Sequence, residues 1–289
     1  MDFRSLYRLN LLFINAGGKV KYLLRLSSLS KTKKLLKTNE EIIATRKHDT
    51  IYICGLGPSL ADVDLDRLID KDTDTLVVNH FFKMAEKTKL RPTYYLMADA
   101  GFMKPKHIEA FNKAVEEGLA EMYKKDTTFV WSTSFLSINP DLVNLDCKKT
   151  FLAMYNGYYI DPKKFELTKV MPAFGNVVCA AIAFAIGAGY KKIVLLGCDF
   201  NSFAFPHEVH CYDGGKENKA VRRISLGYEL FCYCFDAFVH VQLAEYARTL
   251  GVEIINSTKG SLIDAYPMNV DEIGEAIMTA MNNGSFKIH

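Results

Sequence analysis

Residues 51–60 constrain the fold more than any other part of the chain. They read Ile-Tyr-Ile-Cys-Gly-Leu-Gly-Pro-Ser-Leu, so a short apolar run ends directly at Gly55 and Gly57. This pattern is typical of a buried parallel strand that delivers a glycine turn to a ligand. Glycine has no Cβ, so main-chain N–H groups in the turn can approach a phosphate, a ribose or a base edge. A plain turn shows the same pattern, and residues 51–60 alone leave both interpretations open.

Three further apolar runs also end in a polar residue. Residues 75–78 precede Asn79, residues 93–98 precede Asp99, and residues 191–198 precede Asp199. Because the carboxyl ends of parallel strands share one edge of a sheet, we expect these three side chains at a common ligand-binding edge. For Asn79 and Asp99, a local turn or helix cap is the alternative.

An uncharged segment, residues 177–188, is rich in Ala, Ile and Val. A helix of this composition must be buried or packed on a sheet. Gly175 and Asn176 precede it as an N-cap would, and a helix N-terminus offers N–H groups and a positive dipole to an anion. With the predicted strands, this helix indicates a single doubly wound, mostly parallel α/β domain over residues 49–289.

The composition agrees with one globular domain in the cytoplasm. The 289 residues, 49% of them hydrophobic, can bury a sizeable core. A net charge of +3 gives no indication of nucleic-acid binding, and a mean hydropathy near zero excludes several membrane spans. The seven cysteines are odd in number and several lie in apolar runs, so we expect reduced thiols. The N-terminus lacks the pattern of a secretory signal.

Residues 1–48 form a basic extension before the first strand. Leucines alternate irregularly with arginine and lysine, and a lysine-rich run follows at residues 31–37. Two short amphipathic helices broken at Gly17-Gly18 would give this pattern. Such helices can lie on anionic lipid, which would place the protein peripherally on the inner face of the cell membrane. Packing on the domain, or on a partner subunit of a homo-oligomer, is the alternative.

A polar segment at about residues 200–220 is predicted to form a lid, and it carries Asn201, His207, His210 and Tyr212. The two histidines are three residues apart, whereas the helical zinc-protease motif needs four, so zinc is not expected. A histidine poised near neutral pH suits general acid or base work. Incidental histidines in a solvated loop are the alternative.

Two aspartate pairs, Asp62 with Asp64 and Asp72 with Asp74, have the spacing of a divalent-metal motif. Each pair lies in a polar segment where aspartates commonly cap helices and form turns. Neither pair directly follows a strong apolar strand. We therefore predict no metal and no other cofactor.

Residues 139–167 are polar, tyrosine-rich and poorly periodic, and we interpret them as a lid or an acceptor-side insertion. Tyr155, Tyr158 and Tyr159 flank an Asn-Gly turn signal. Aromatic faces of this kind suit a sugar, although tyrosines are also common in surface loops.

As an ordered set, these segments resemble the bacterial sialyltransferases of glycosyltransferase family 42 and the related MptE-like proteins, over roughly residues 50–265. The resemblance rests on the segments 55–60, 78–80, 97–99, 175 with the helix after it, 189–200 and 256–261. It implies a Rossmann-like fold of the GT-A-variant type and a CMP-sugar donor, with no required metal.

The resemblance also implies site residues. Its donor site maps onto Gly55, Gly57, Pro58, Ser59, Asn79 and Asp99, and the strand-end, helix-cap and lid patterns add Gly175, Asn176, Asp199, Asn201 and Tyr212. The family's catalytic base is a histidine after the Asp-Phe strand, for which His210 and then His207 are the candidates. A direct alignment places Cys234 at that position instead.

The chain departs from the family at several positions. Asp99 stands where the family has asparagine, and Met171 and Ala173-Phe174 stand where it has arginine and Thr-Ser. The loss of the arginine and of the two hydroxyl groups removes groups that would bind a sialic acid carboxylate, so the identity of the donor sugar stays open. The expected activity is inverting transfer of an acidic sugar to a bacterial surface glycan or glycolipid, as in lipopolysaccharide or capsule synthesis. An MptE-like diphosphokinase and a nucleotide-binding protein without turnover are the alternatives.

Overall fold

A computed structural model gives the fold and describes residues 2–25, 32–69, 72–84, 87–98, 126–137, 147–155, 159, 161, 165–171, 175–205, 209–212 and 225–269. Its strands are β1 Thr50–Cys54, β2 Asp74–Val78, β3 Tyr94–Met97, β4 Thr128–Ser132, β5 Lys149–Leu152, β6 Lys192–Leu196 and β7 Glu253–Asn256. Its α-helices are α1 Phe3–Arg25, α2 Lys33–Leu36, α3 Asn39–Thr45, α4 Val177–Gly187 and α5 Leu226–Thr249. The predicted site residues Asp99 and His207 lie outside the described residues.

The seven strands form one parallel sheet in the order β5-β4-β3-β2-β1-β6-β7. The chain adds strands outward from β1 to β5 and then crosses back to place β6 on the other side of β1. The strand order therefore reverses between β1 and β6, which is the point where ligands bind in open α/β sheets. The predicted single, doubly wound α/β sheet is confirmed.

The two faces of the sheet carry separate apolar layers, because successive side chains of a strand point to opposite faces. Ile51 and Ile53 of β1 pack with the buried residues of α4, whereas Tyr52 and Cys54 pack with the layer that contains Trp131. Helix α4 packs on β1 and β2 of the sheet and against α5, and its residues from Cys179 to Ile186 are all buried. This position accounts for its lack of charge.

The N-terminal extension is tied into the domain. Leu11 and Ile42 belong to the main apolar layer, and Leu36 to the layer on the other face. The side-chain amide of Asn39 donates to the carbonyl of Phe151 at 2.8 Å and to the carbonyl of Leu167 at 2.6 Å. These contacts hold α3 against β5.

Helix α1 is continuous through Gly17 and Gly18, so the predicted break there is wrong. Two glycines in a helix cost about 2 kcal/mol relative to alanine. Burial of Leu11 before them and Tyr22 after them outweighs that cost. Gly18 is itself buried.

The segment at residues 139–167 contains β5, which the sequence did not predict. The tyrosines of this segment also have a different environment from the one expected. Tyr155 and Tyr159 are buried, and their ring centroids lie 5.5 and 5.1 Å from that of Tyr22 on α1. These two rings hold α1 in place, and Tyr158 lies outside the described residues.

None of the described helices is long and apolar enough to cross a membrane. All seven cysteines lie in the described part of the chain as free thiols.

Candidate active site

A cavity of about 370 Å³ opens where the strand order reverses. Its walls are the turns after β1, β2 and β6, the N-terminus of α4, residues 209–210 and one face of α5. Of the predicted site residues, Gly55, Gly57, Pro58, Asn79, Asn176, Asp199, Asn201 and His210 line this cavity. Residues from segments far apart in sequence thus meet at one place.

The glycine turn exists because the backbones of β1 and β6 approach very closely. A Cβ on Gly55 would lie 2.4 Å from the carbonyl oxygen of Gly197, and one on Gly57 would lie 1.9 Å from Oδ2 of Asp199. The N–H groups of Gly55 and Gly57 donate to the carbonyls of Leu196 and Gly197. These N–H groups are therefore engaged within the protein, and the glycines serve the close approach of the two strands.

Ser59 and Asp199 connect the ends of β1 and β6. The Ser59 hydroxyl donates to Oδ2 of Asp199 at 2.7 Å, and the Ser59 N–H donates to Oδ1 at 3.2 Å. Burial raises the pKa of the Asp199 carboxyl, and the hydrogen bonds from Ser59 oppose that rise. Both carboxylate oxygens accept from Ser59, so Asp199 fixes the turn as well as lining the cavity.

Asn79 is held in an unusual conformation directly after β2. Its φ is +42°, and Tyr95 donates a hydrogen bond from its hydroxyl to the Asn79 carbonyl at 2.7 Å. The amide oxygen Oδ1 of Asn79 is buried and has no hydrogen-bond partner among the described residues. A buried oxygen of this kind normally has a partner, so it marks a place for a ligand donor.

Asn79 and Phe200 are the two non-glycine residues of the described chain that have a positive φ, which is +58° at Phe200. Phe200 too lines the cavity, and its ring packs against Tyr233 and His240 with centroids 4.7 and 5.5 Å apart. Residues in sparsely populated backbone regions cost free energy and cluster at functional sites. Both such residues of the described chain lie at this cavity.

Helix α4 begins at the cavity with a capped N-terminus. Oδ1 of Asn176 accepts from the N–H of Cys179 at 2.9 Å, as an N-cap side chain does. The first N–H groups of a helix have no partner within the helix, and here they belong to Val177 and Val178, which line the cavity. The N-terminus of α4 therefore has the N–H donors and the positive dipole that suit an anion.

A polar stripe on α5 forms another wall of the cavity. Cys232, Asp236 and His240 recur every four residues, lie on one helix face and line the cavity. Burial raises the pKa of the Asp236 carboxyl to about 7, and a hydrogen bond from Asn176 opposes the rise. Asp236 lies so close to Gly175 that a Cβ on this glycine would be 1.4 Å from Oδ1. Gly175 thus makes room for Asp236 and does not itself line the cavity.

His240 is a neutral, buried histidine. Its Nδ1 lies 3.0 Å from the Tyr266 hydroxyl and its Nε2 lies 3.4 Å from Sγ of Cys179. Burial lowers its pKa to about 3. These contacts fix the ring between α4 and the chain after β7, so His240 orders this wall of the cavity.

The sequence did not predict Asp236 and His240 as site residues. The signal that could have found them is their i, i+4 spacing inside a helix that is otherwise apolar and aromatic from Leu230 to Val241. A polar pair on one face of such a helix indicates that this face meets something polar.

His210 lines the cavity and lies beside Tyr212. The two ring centroids are 5.0 Å apart, and the Lys83 ammonium lies 4.3 Å from the centre of the Tyr212 ring. The N–H of Cys211 donates to the Leu56 carbonyl at 3.1 Å, which holds this segment over the glycine turn. His210 faces the cavity, whereas Tyr212 packs behind it.

Among the described residues, no three His, Cys, Asp or Glu side chains form a group that could hold a metal ion. Cys234, the position that direct alignment indicates for a base, does not line the cavity.

Comparison with known proteins gives matches to solved structures alone. No family model matches the chain, and no curated protein does. The chain is similar to the monofunctional α-2,3-sialyltransferase Cst-I from Campylobacter jejuni, at 16% identity and a TM-score of 0.43, over 78% of this chain and 81% of that one. It is also similar to CstII from Campylobacter jejuni in complex with CMP-3FNeuAc, at 16% identity and a TM-score of 0.46, over 76% and 85%. These similarities concern the fold alone, and none of them supports the MptE-like part of the sequence resemblance.

Proposed function

We propose that this protein is an inverting glycosyltransferase that moves an acidic sugar from a CMP-sugar to a glycan or glycolipid acceptor, without a metal ion. The observation that carries the proposal is the cavity at the point of strand reversal, which Asn79 lines and where its buried Oδ1 has no hydrogen-bond partner among the described residues. The donor class comes from the sequence resemblance around residues 55–60 and 78–80. A bacterial surface polysaccharide is the acceptor that this class implies.

The cavity offers different chemistry at its different walls. Oδ1 of Asn79 can accept a hydrogen bond from an amino or hydroxyl group of a nucleoside. The N–H groups and dipole at the start of α4 suit the phosphate of the same nucleotide. A nucleoside monophosphate ester therefore matches both features at once.

His210 is the group we assign to proton transfer. In the proposed step the acceptor hydroxyl oxygen attacks the anomeric carbon, and the bond from this carbon to the phosphate oxygen breaks. The bonding electrons leave with CMP, and His210 takes the hydroxyl proton. The N-terminus of α4 stabilises the charge that develops on the leaving phosphate. Asp199 is less suited to this role, because Ser59 donates to both of its oxygens.

Nucleotide binding is tested first, by calorimetric titration of CMP into wild-type protein and Asn79→Gly. Glycine tolerates the positive φ and removes Oδ1, so the backbone turn is retained. We expect about a tenfold loss of CMP affinity, the usual cost of one lost hydrogen bond to a buried group. Equal affinity in the two proteins would remove Asn79 from the donor site.

Turnover is tested by screening CMP-sugars for release of CMP, with and without EDTA. We expect His210→Ala to lower kcat by about 10²–10⁴ with CMP affinity retained, and the surface variant His48→Ala to match wild type. Loss of turnover in His207→Ala alone would move the base to that residue. A strict metal requirement would favour a phosphotransferase. CMP binding without turnover of any CMP-sugar would indicate a binding protein.

A further inference from the structure

We propose that the outward face of α1 lies in the interfacial region of an anionic lipid bilayer. The face consists of Leu6, Leu9, Leu12, Phe13, Val20, Leu23 and Leu24. The proposal rests on the geometry of α1 and on its charges, and it is independent of the proposed reaction.

The inward face of α1 is already occupied by the domain. Leu11 and Tyr22 are each only 4% exposed. The Tyr22 hydroxyl donates to the Val170 carbonyl at 2.8 Å, and Ile14 packs on the main apolar layer. The orientation of α1 about its own axis is therefore fixed by the domain.

The outward face is apolar and unusually exposed. Leu12 is 60% exposed, Phe13 67%, Val20 59% and Leu24 75%. At about 100° per residue, the seven apolar residues fall within an arc of about 120°, and this arc lies nearly opposite Leu11 and Tyr22. A soluble surface helix would carry polar residues on such an arc, so the arc is adapted to an apolar environment.

Basic residues border the apolar arc on both sides. Arg8 and Lys19 lie just beyond one edge, and Lys21 lies beyond the other. The helix contains Arg4, Arg8, Lys19, Lys21 and Arg25 and no aspartate or glutamate. An apolar stripe between basic borders is the pattern of a helix that lies in the plane of an anionic membrane surface.

The charges favour lipid over a second copy of the chain. Two copies of α1 meeting through this face would bring like charges together, whereas anionic headgroups would neutralise them. Since none of the described helices can cross the membrane, the contact is peripheral.

The test is sedimentation of the full chain with vesicles of phosphatidylcholine, alone or mixed equally with phosphatidylglycerol. We expect binding to the mixed vesicles only. The triple variant L12S/F13S/V20S should lose at least tenfold in partitioning. The matched variant I43S/L250S/L262S removes three exposed apolar side chains elsewhere and should bind as wild type.

A second set of variants tests the contribution of the basic residues to membrane binding. We expect R8Q/K19Q/K21Q to lower partitioning on the order of a hundredfold, and K89Q/K191Q/K259Q to leave it much less affected. Equal loss of partitioning in both triple charge variants, or no binding by wild type, would overturn the proposal. So would light scattering that shows a wild-type dimer converted to a monomer by L12S/F13S/V20S.

Discussion

The hydroxyl of Tyr95 on β3 donates a hydrogen bond to the carbonyl oxygen of Asn79 at 2.7 Å, across the strand ends that form the cavity edge. The same hydroxyl accepts a hydrogen bond from the Phe82 N–H at 2.8 Å. One buried phenol therefore holds both ends of the turn that gives Asn79 its positive φ.

We expect Tyr95→Phe to lower the free energy of unfolding by about 1–3 kcal/mol, because two buried backbone groups lose their partner. It should also weaken CMP binding, since the turn that aims Oδ1 of Asn79 is released. Urea unfolding and calorimetric titration measure the two effects. Tyr246→Phe on α5, which removes a phenol outside the cavity, is the control. Lost stability with unchanged CMP affinity would show that Tyr95 does not position Asn79.

Gly57→Ala should strongly disturb the site. Its Cβ would lie 1.9 Å from Oδ2 of Asp199 and 2.8 Å from the Gly197 carbonyl oxygen, so β1 and β6 must move apart. We expect destabilisation of at least about 1–3 kcal/mol. Gly17→Ala is the contrasting variant, because nothing lies within 4 Å of its Cβ and alanine favours a helix, so stability should rise by up to about 1 kcal/mol. Thermal unfolding compares them, and equal melting temperatures would contradict the close approach at Gly57.

Asp236 should make the protein less stable as the pH rises. Its folded pKa of about 7 exceeds that of an unfolded aspartate. Between about pH 4 and pH 7 the folded state therefore binds more protons than the unfolded chain, and stability falls across this range. We expect Asp236→Asn to lose less stability over the range, by on the order of 3 kcal/mol. Urea unfolding as a function of pH measures this difference, and parallel profiles would contradict it.

His240 should make the protein more stable as the pH rises, the opposite of the effect of Asp236. Its folded pKa of about 3 lies below that of an unfolded histidine, so the unfolded chain binds more protons between about pH 3 and pH 6.5. Stability from this group is present above that range and is lost as the pH falls through it. We expect His240→Gln to resist acid better than wild type, by about 2–4 kcal/mol of retained stability. His48→Gln is the control. An equal loss of stability at low pH in the two variants would contradict the prediction.

The strands that form the cavity could be predicted from the sequence because a change of residue type marks the end of each strand. β1, β2 and β6 are apolar runs that stop at a glycine, an asparagine or a Gly-Cys-Asp sequence, and parallel pairing brings these ends together. Asn176 could be predicted for the same reason, since an N-cap is a local signal.

Asp236 and His240 could not be predicted in the same way. Both lie in the middle of α5, among aromatic residues whose local pattern indicates only packing. Contacts of α5 with α4 and with the chain after β7 decide which face of α5 meets the cavity. These segments are far apart in sequence. β5 was missed because Lys149 and Thr150 make half of a four-residue strand polar.

The hydrogen bonds between Ser59 and Asp199 join residues that are 140 positions apart. At about 5–20 residues per second, a ribosome needs roughly 7–28 s to make the chain between them. During that time β1 has no β6 beside it, and one edge of an apolar strand remains unpaired. The nascent chain can therefore associate wrongly at the turn that later forms the cavity. A chain that ends before β6 would contain the glycine turn but not the cavity.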